Sequence, residues 1–180
     1  SFAISKAPCF MVFIIPPAPL SSFVLSLMLI GLAILLTAAL LLGFAFFLGD
    51  SLISWRSKKQ SLTARSSTEA EYRALDDTTQ ELLWLRWLLA DMGVTPSGAT
   101  ALFSDNHSAL QIAHNDVFHD RTKHIEIDCH FIRQHVTHGT VHLHPISSVD
   151  QPADIFTKAH SPSRFVDLVS KLKLVDVCPP

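Results

Sequence analysis

The chain has 180 residues, room for one domain of ordinary size, and a net charge of −2 from 14 Lys and Arg against 16 Asp and Glu. That balance excludes a strongly basic nucleic-acid coat and an acidic tail, so any nucleic-acid contact has to come from a local patch. The 48% apolar content excludes a disordered chain. Three scattered cysteines, Cys9, Cys129 and Cys178, are too few for a disulfide framework or a paired-cysteine zinc site and leave the redox compartment open, leaning reducing.

The first 49 residues carry a single charge, Lys6, whereas residues 50–180 hold every other charge and all ten histidines. Residues 21–49 are uncharged. A run above about 18 apolar residues is a candidate transmembrane helix, and this one is too long for a signal-peptide core. If it spans, Arg56, Lys58, Lys59 and Arg65 place the rest of the chain in the cytoplasm and make the membrane a partner. The competing reading is that the leader, residues 1–42, is not selected protein sequence at all.

From residue 43 the elements follow in order. Gly43–Leu48 and Ser51–Arg56 are apolar runs split by Gly49-Asp50, a hairpin pattern. Ser66, Ser67 and Thr68 precede Glu69 and Glu71, a helix-start signature. The helix runs to about Met92 and stops at Gly93, with Leu75, Thr78, Leu82, Leu85, Leu89 and Met92 as its apolar stripe. Four residues before Leu75 the same face begins with Glu71. Glu71 reads either as a carboxylate favouring the helix dipole or as one aimed at the sheet, and its stripe position favours the second. Thr100–Ser104 is a short strand, and Asp105-Asn106 stands at its carboxyl end, where open α/β sheets place ligands. Either residue also suits the cap of the next helix, over 108–115.

Val117–Lys123 reads as a polar loop. A helix over 124–138 has Ile125, Cys129, Ile132 and Val136 inward. Thr140–His144 alternates, with His142 and His144 outward. Asp150 and Pro152 open a short helix carrying Asp154, Ser161-Pro162-Ser163 is linker-like punctuation, and an amphipathic helix over Phe165–Leu174 ends the pattern. The order is that of an α/β domain with a mixed sheet. The histidines at 119, 124, 130, 135 and 138 lack zinc-ligand spacing and read as a polar helix face.

The segments around the three acids are S-S-T-E-A-E-Y-R-A-L (66–75), L-F-S-D-N-H-S-A-L (102–110) and Q-P-A-D-I-F-T-K (151–158). With R-T-K-H-I-E-I-D-C-H-F-I-R (121–133), G-F-A-F-F-L-G-D-S-L-I-S-W (43–55), S-K-K-Q (57–60) and F-V-D-L-V-S-K-L-K-L-V-D (165–176), they resemble the ribonuclease H domain at the end of a copia-type retrotransposon Pol polyprotein. The resemblance covers about residues 43–176, leaving 177–180 as a tail. Collinearity of several motifs makes it specific where any one of them is weak.

The resemblance implies a ribonuclease H-like mixed sheet flanked by helices and hydrolysis of the RNA strand of an RNA–DNA hybrid. It also implies partner reverse transcriptase and integrase segments if the polyprotein is intact, and a cytoplasmic or nuclear location unless the leader inserts into a membrane. Its chemistry uses two Mg²⁺ ions about 3.5–4 Å apart to activate a water and steady the leaving oxygen, held by carboxylate oxygens. Glu71, Asp105 and Asp154 match three of the four metal carboxylates of that family. A hybrid is recognised by backbone and 2′-OH contacts, for which Lys58, Lys59, Arg65, Arg121 and Lys123 are candidates.

The fourth carboxylate is absent. The family carries it on the opening strand, in a pattern like S-D-A-D-W-A-G, where this chain has Leu27-Met28-Leu29-Ile30-Gly31-Leu32-Ala33 and no acid anywhere in 1–49. The codons TCT GAT GCT GAT TGG GCT GGC, read one base later, encode that apolar heptad. The same shift turns a family-like Y-L-K-G-T into Ile-Ser-Lys-Ala-Pro, the residues at 4–8. The leader is therefore expected to be an out-of-frame translation, the first strand to be lost and replaced by an apolar helix, and cleavage to be weak or absent. The alternatives are a non-catalytic membrane-anchored or nucleic-acid-binding remnant, and an unexpressed pseudogene product.

Overall fold

The computed structural model describes residues 25–34, 40–59, 67–96, 98–114 and 126–173. Strands β1 (Leu25–Ile34), β2 (Leu40–Leu48) and β3 (Ser51–Lys59) lead into helix α1 (Ser67–Asp91). Then come β4 (Thr100–Ser104), α2 (His107–His114), α3 (Glu126–Thr137), β5 (Val141–Pro145), a 3-10 helix (Pro152–Phe156) and α4 (Pro162–Lys171). One five-stranded sheet has the order β3-β2-β1-β4-β5. The β1–β2 and β2–β3 pairs are antiparallel, whereas β1–β4 and β4–β5 are parallel. This is the mixed sheet of a ribonuclease H-like α/β fold.

The apolar leader departs from expectation. Leu25–Ile34 is a strand, not part of a membrane-spanning helix, and the first strand is present at the centre of the sheet. Among the described residues no helix is long and apolar enough to cross a membrane. The physical reason is that a central strand covered on both faces also reads as an unbroken apolar run. Periodicity alone does not separate it from a buried helix.

The hairpin forms as expected, with Gly49 at φ +60° in the turn, a left-handed conformation that glycine adopts without a side-chain clash. On one face of the sheet the core gathers Leu42, Phe44 and Phe46 of β2, the α1 stripe Leu75, Leu82, Leu85 and Leu89, and Cys129 and Ile132 of α3. Thr78 joins the stripe by bonding its hydroxyl back to the Ala74 carbonyl at 2.6 Å, which satisfies a buried polar group. Met92, expected inward, is exposed, because α1 ends at Asp91 before that side of the helix is covered.

The opposite face packs Ala45, Phe47 and Leu52 against Leu172, Ile155 and Phe156. Close approach of the 3-10 helix depends on Gly43 in β2. A Cβ there would stand 2.6 Å from Thr157 Cγ2 and 3.0 Å from Phe156 Cβ. The Ser161-Pro162-Ser163 punctuation proves to be a helix start. Ser161 is the N-cap, its hydroxyl accepting from the Arg164 amide at 3.4 Å, and α4 begins at Pro162, three residues earlier than the sequence suggested. The predicted loop at Val117–Lys123 lies outside the described residues.

Candidate active site

Three elements deliver the three acids. Glu71 sits in the first turns of α1, Asp105 just beyond the carboxyl end of β4, and Asp154 in the 3-10 helix that Gly43 admits to the sheet. The competition between Asp105 and Asn106 for the cap of α2 is resolved by geometry. Asn106 Oδ1 accepts from the Ala109 amide at 3.0 Å, the N-cap bond, and Asp105 is left for other work. Its Oδ2 instead accepts from the Ser148 hydroxyl at 2.9 Å. Ser148 is tied in turn to α4, through Arg164 Nη2 and the Ser148 carbonyl at 3.3 Å.

Asp154 is buried, and Lys158 Nζ lies 2.7 Å from its Oδ1. The Asp154 carbonyl accepts from the Thr157 and Lys158 amides at 3.1 and 3.0 Å, and a His160 ring nitrogen stands 3.0 Å away. Glu71 is the strained member. Its Oε2 is sealed from solvent with no hydrogen-bond partner. Burial pushes its pKa up to about 8; the charge of Asp105 adds to this, Lys158 opposes it and Asp154 adds again. Those mutual influences place three carboxylates and one ammonium in a single electrostatic neighbourhood, drawn from three segments of the chain.

The donor set is oxygen only, which suits a hard divalent cation such as Mg²⁺. A carboxylate raised mainly by burial and further by neighbouring acids, with one oxygen lacking a partner, is a group whose charged form a cation would favour. Among the described residues no group of three or more His, Cys, Asp or Glu side chains is arranged to hold a metal ion. The strand that would complete the set offers no acid. In the β1–β4 ladder Met28 stands opposite Phe103, two residues before Asp105.

Of the basic candidates, Lys58 and Lys59 are exposed at the end of β3. Ser57 beside them donates to the Phe156 carbonyl at 2.7 Å, which brings this pair next to the 3-10 helix bearing Asp154. Arg65, Arg121 and Lys123 lie outside the described residues. Two further residues belong to the site: Lys158, signalled in the sequence only by its D-x-x-x-K spacing from Asp154, and Ser148, which carries no local signal.

Over 137 residues, 76% of its length, the chain is 42% identical to the retrovirus-related Pol polyproteins from transposons RE1 and RE2 of Arabidopsis thaliana. It is 36% identical over 123 residues to that from transposon TNT 1-94 of Nicotiana tabacum. The chain is homologous to part of a retrotransposon Pol polyprotein. It spans only 9% of the length of these relatives. No protein-family model and no solved structure matches it. In this retroelement-derived domain Asp105 follows the carboxyl end of β4, Glu71 lies in the first turns of α1 and Asp154 in the 3-10 helix.

Proposed function

We propose that the chain is the ribonuclease H-type domain of a copia-type Pol polyprotein. Glu71, Asp105 and Asp154 are the remaining metal carboxylates, and cleavage of the RNA strand of a hybrid is weak or absent. The observation that supports this reading is that Glu71, raised first by burial and then by the charge of Asp105, has a sealed carboxylate oxygen without a partner beside a ribonuclease H-like sheet. Bound at these oxygens, Mg²⁺ supplies Lewis-acid charge and an activated water. The residues' own work is to present carboxylates, to hold Asp105 through Ser148, and to balance Asp154 with Lys158.

The impairment follows from charge. Without the fourth acid, Glu71, Asp105 and Asp154 supply at most three negative charges, and Lys158 offsets one of them. That suits a single weakly held cation better than a pair. The missing acid lies in the apolar stretch at 27–33, whose frame-shift origin is tested by sequencing the gene: a single-base shift must restore an acidic D-A-D strand. Lys58 and Lys59, beside the 3-10 helix, are positioned to meet the phosphates of a hybrid.

The test is a binding and cleavage assay with the whole chain, using matched RNA–DNA hybrid, duplex DNA and single strands. The expected result is preference for the hybrid with little or no Mg²⁺-dependent cutting. Equal affinity for all these nucleic acids, or brisk cutting of the hybrid, would overturn the reading.

A further inference from the structure

The histidines of β5 are not used by the acid cluster. Alternation along the strand sends Val141 and Leu143 into the core and puts His142 and His144 together on the other face. Their ring centroids are 4.6 Å apart and the rings are inclined by 68°. Phe103, the register partner of His144 on β4, stacks on that imidazole with centroids 5.2 Å apart and planes 27° from parallel. One ring is thus held while the other is exposed to solvent. Within the described sheet β5 is paired only with β4, so the two imidazoles stand at its rim.

That separation has a chemical meaning. A cation bonded at about 2.0–2.1 Å to one nitrogen of each ring lies roughly 3.2 Å from each centroid, and ligand angles of about 90–109° then set the centroids about 4.5–5.2 Å apart. The observed spacing falls inside this range before any ion is added.

The geometry points to a bidentate site at His142 and His144 for a borderline transition-metal ion, Zn²⁺, Ni²⁺ or Cu²⁺. Water fills the remaining positions. Ligand type separates this site from the acid cluster, since imidazole selects these ions whereas an all-oxygen set selects Mg²⁺. With two protein ligands and no closed three-residue group among the described residues, the ion is exchangeable rather than structural.

Two measurements on the full chain test the site. In the unaltered protein, substoichiometric Cu²⁺ should broaden the ring NMR signals of His142 and His144 before those of the other eight histidines. Earlier broadening elsewhere would overturn the assignment. Ni²⁺ titration should show a site whose affinity falls at least tenfold in His142→Gln and in His144→Gln and which is lost in the double variant. Nitrogen couplings in the Cu²⁺ electron paramagnetic spectrum should drop from two to one in each single variant. Unchanged titrations and couplings would contradict the proposal. Added Mg²⁺ should displace none of the bound Ni²⁺, and displacement would likewise count against it.

Discussion

Lys158 Nζ rests 2.7 Å from Asp154 Oδ1, on the next turn of the same segment, and the same ammonium opposes the elevation of Glu71. One side chain thereby supplies positive charge to a pocket in which Asp154 is buried and Glu71 has a sealed, unpartnered oxygen. The ammonium competes with any cation drawn to the same oxygens. Replacing Lys158 by Met should leave Asp154 as an uncompensated buried charge. We expect a loss of about 1–3 kcal/mol, less than for a fully buried pair because Lys158 is partly exposed. Mn²⁺ should restore more stability to Lys158→Met than it adds to the parent chain. Urea unfolding with and without Mn²⁺ reads both effects, and equal gains from the ion in the two proteins would show that Lys158 does not compete.

Glu71 makes the domain's stability depend on pH in a defined direction. Its folded pKa of about 8 lies above the ordinary value of 4.5. The folded state therefore holds a proton that the unfolded state has released between those values, and stability falls as pH rises through that window. Glu71→Gln removes the dependence. The parent and variant should differ little below about pH 4.5. Between there and about pH 8 the variant should gain on the parent by up to about 1.4 kcal/mol per pH unit. Denaturation midpoints at pH 5, 6.5 and 8 measure it, and parallel pH curves would contradict the assigned environment. Asp76, also raised by burial, to about 6, contributes to both curves and cancels in the comparison.

Much of this architecture is legible in the chain. Gly49 marks the hairpin, the three- and four-residue steps from Leu75 to Leu89 mark α1, and T-A-L-F-S is β4 to the residue. The positions of the acids are legible as well: Glu71 falls in the first turns of α1, Asp105 directly after β4 and Asp154 in the short helix after Pro152. What failed was the leader, where an apolar run suits a membrane helix and a central strand equally and only the pairing partners β2 and β4 decide. Ser148 and Lys158 were missed for the opposite reason. Ser148 meets Asp105 across 43 positions of sequence, and the part Lys158 plays depends on the burial of Asp154, which the sequence does not display.

Gly43 connects the sheet to the site. Gly43→Ala forces a methyl against Thr157 and Phe156, and overpacking of this kind costs about 1–3 kcal/mol. Because the displaced segment carries both Asp154 and Lys158, and the lowering effect of Lys158 on Glu71 is the larger of the two, moving it away should raise the pKa of Glu71 further. Nuclear magnetic resonance titration of the Glu71 carboxyl in both proteins checks it. An unchanged titration together with unchanged stability would mean that the 3-10 helix does not depend on this contact.

The proposed ribonuclease H-type site lacks one acid, and that acid can be put back. Residues 27–33 replaced by S-D-A-D-W-A-G restore the acidic pattern to β1, where position 28 stands opposite Phe103 in the ladder. The decisive measurement is Mg²⁺-dependent cleavage of an RNA–DNA hybrid by the parent chain, the restored chain and the restored chain carrying Asp105→Asn. The account predicts little or no cutting by the parent, cutting of the RNA strand alone by the restored chain, and loss of that activity with Asp105→Asn. A restored chain that folds and binds hybrid yet cuts nothing, or a parent that cuts as well as the restored chain, would contradict it.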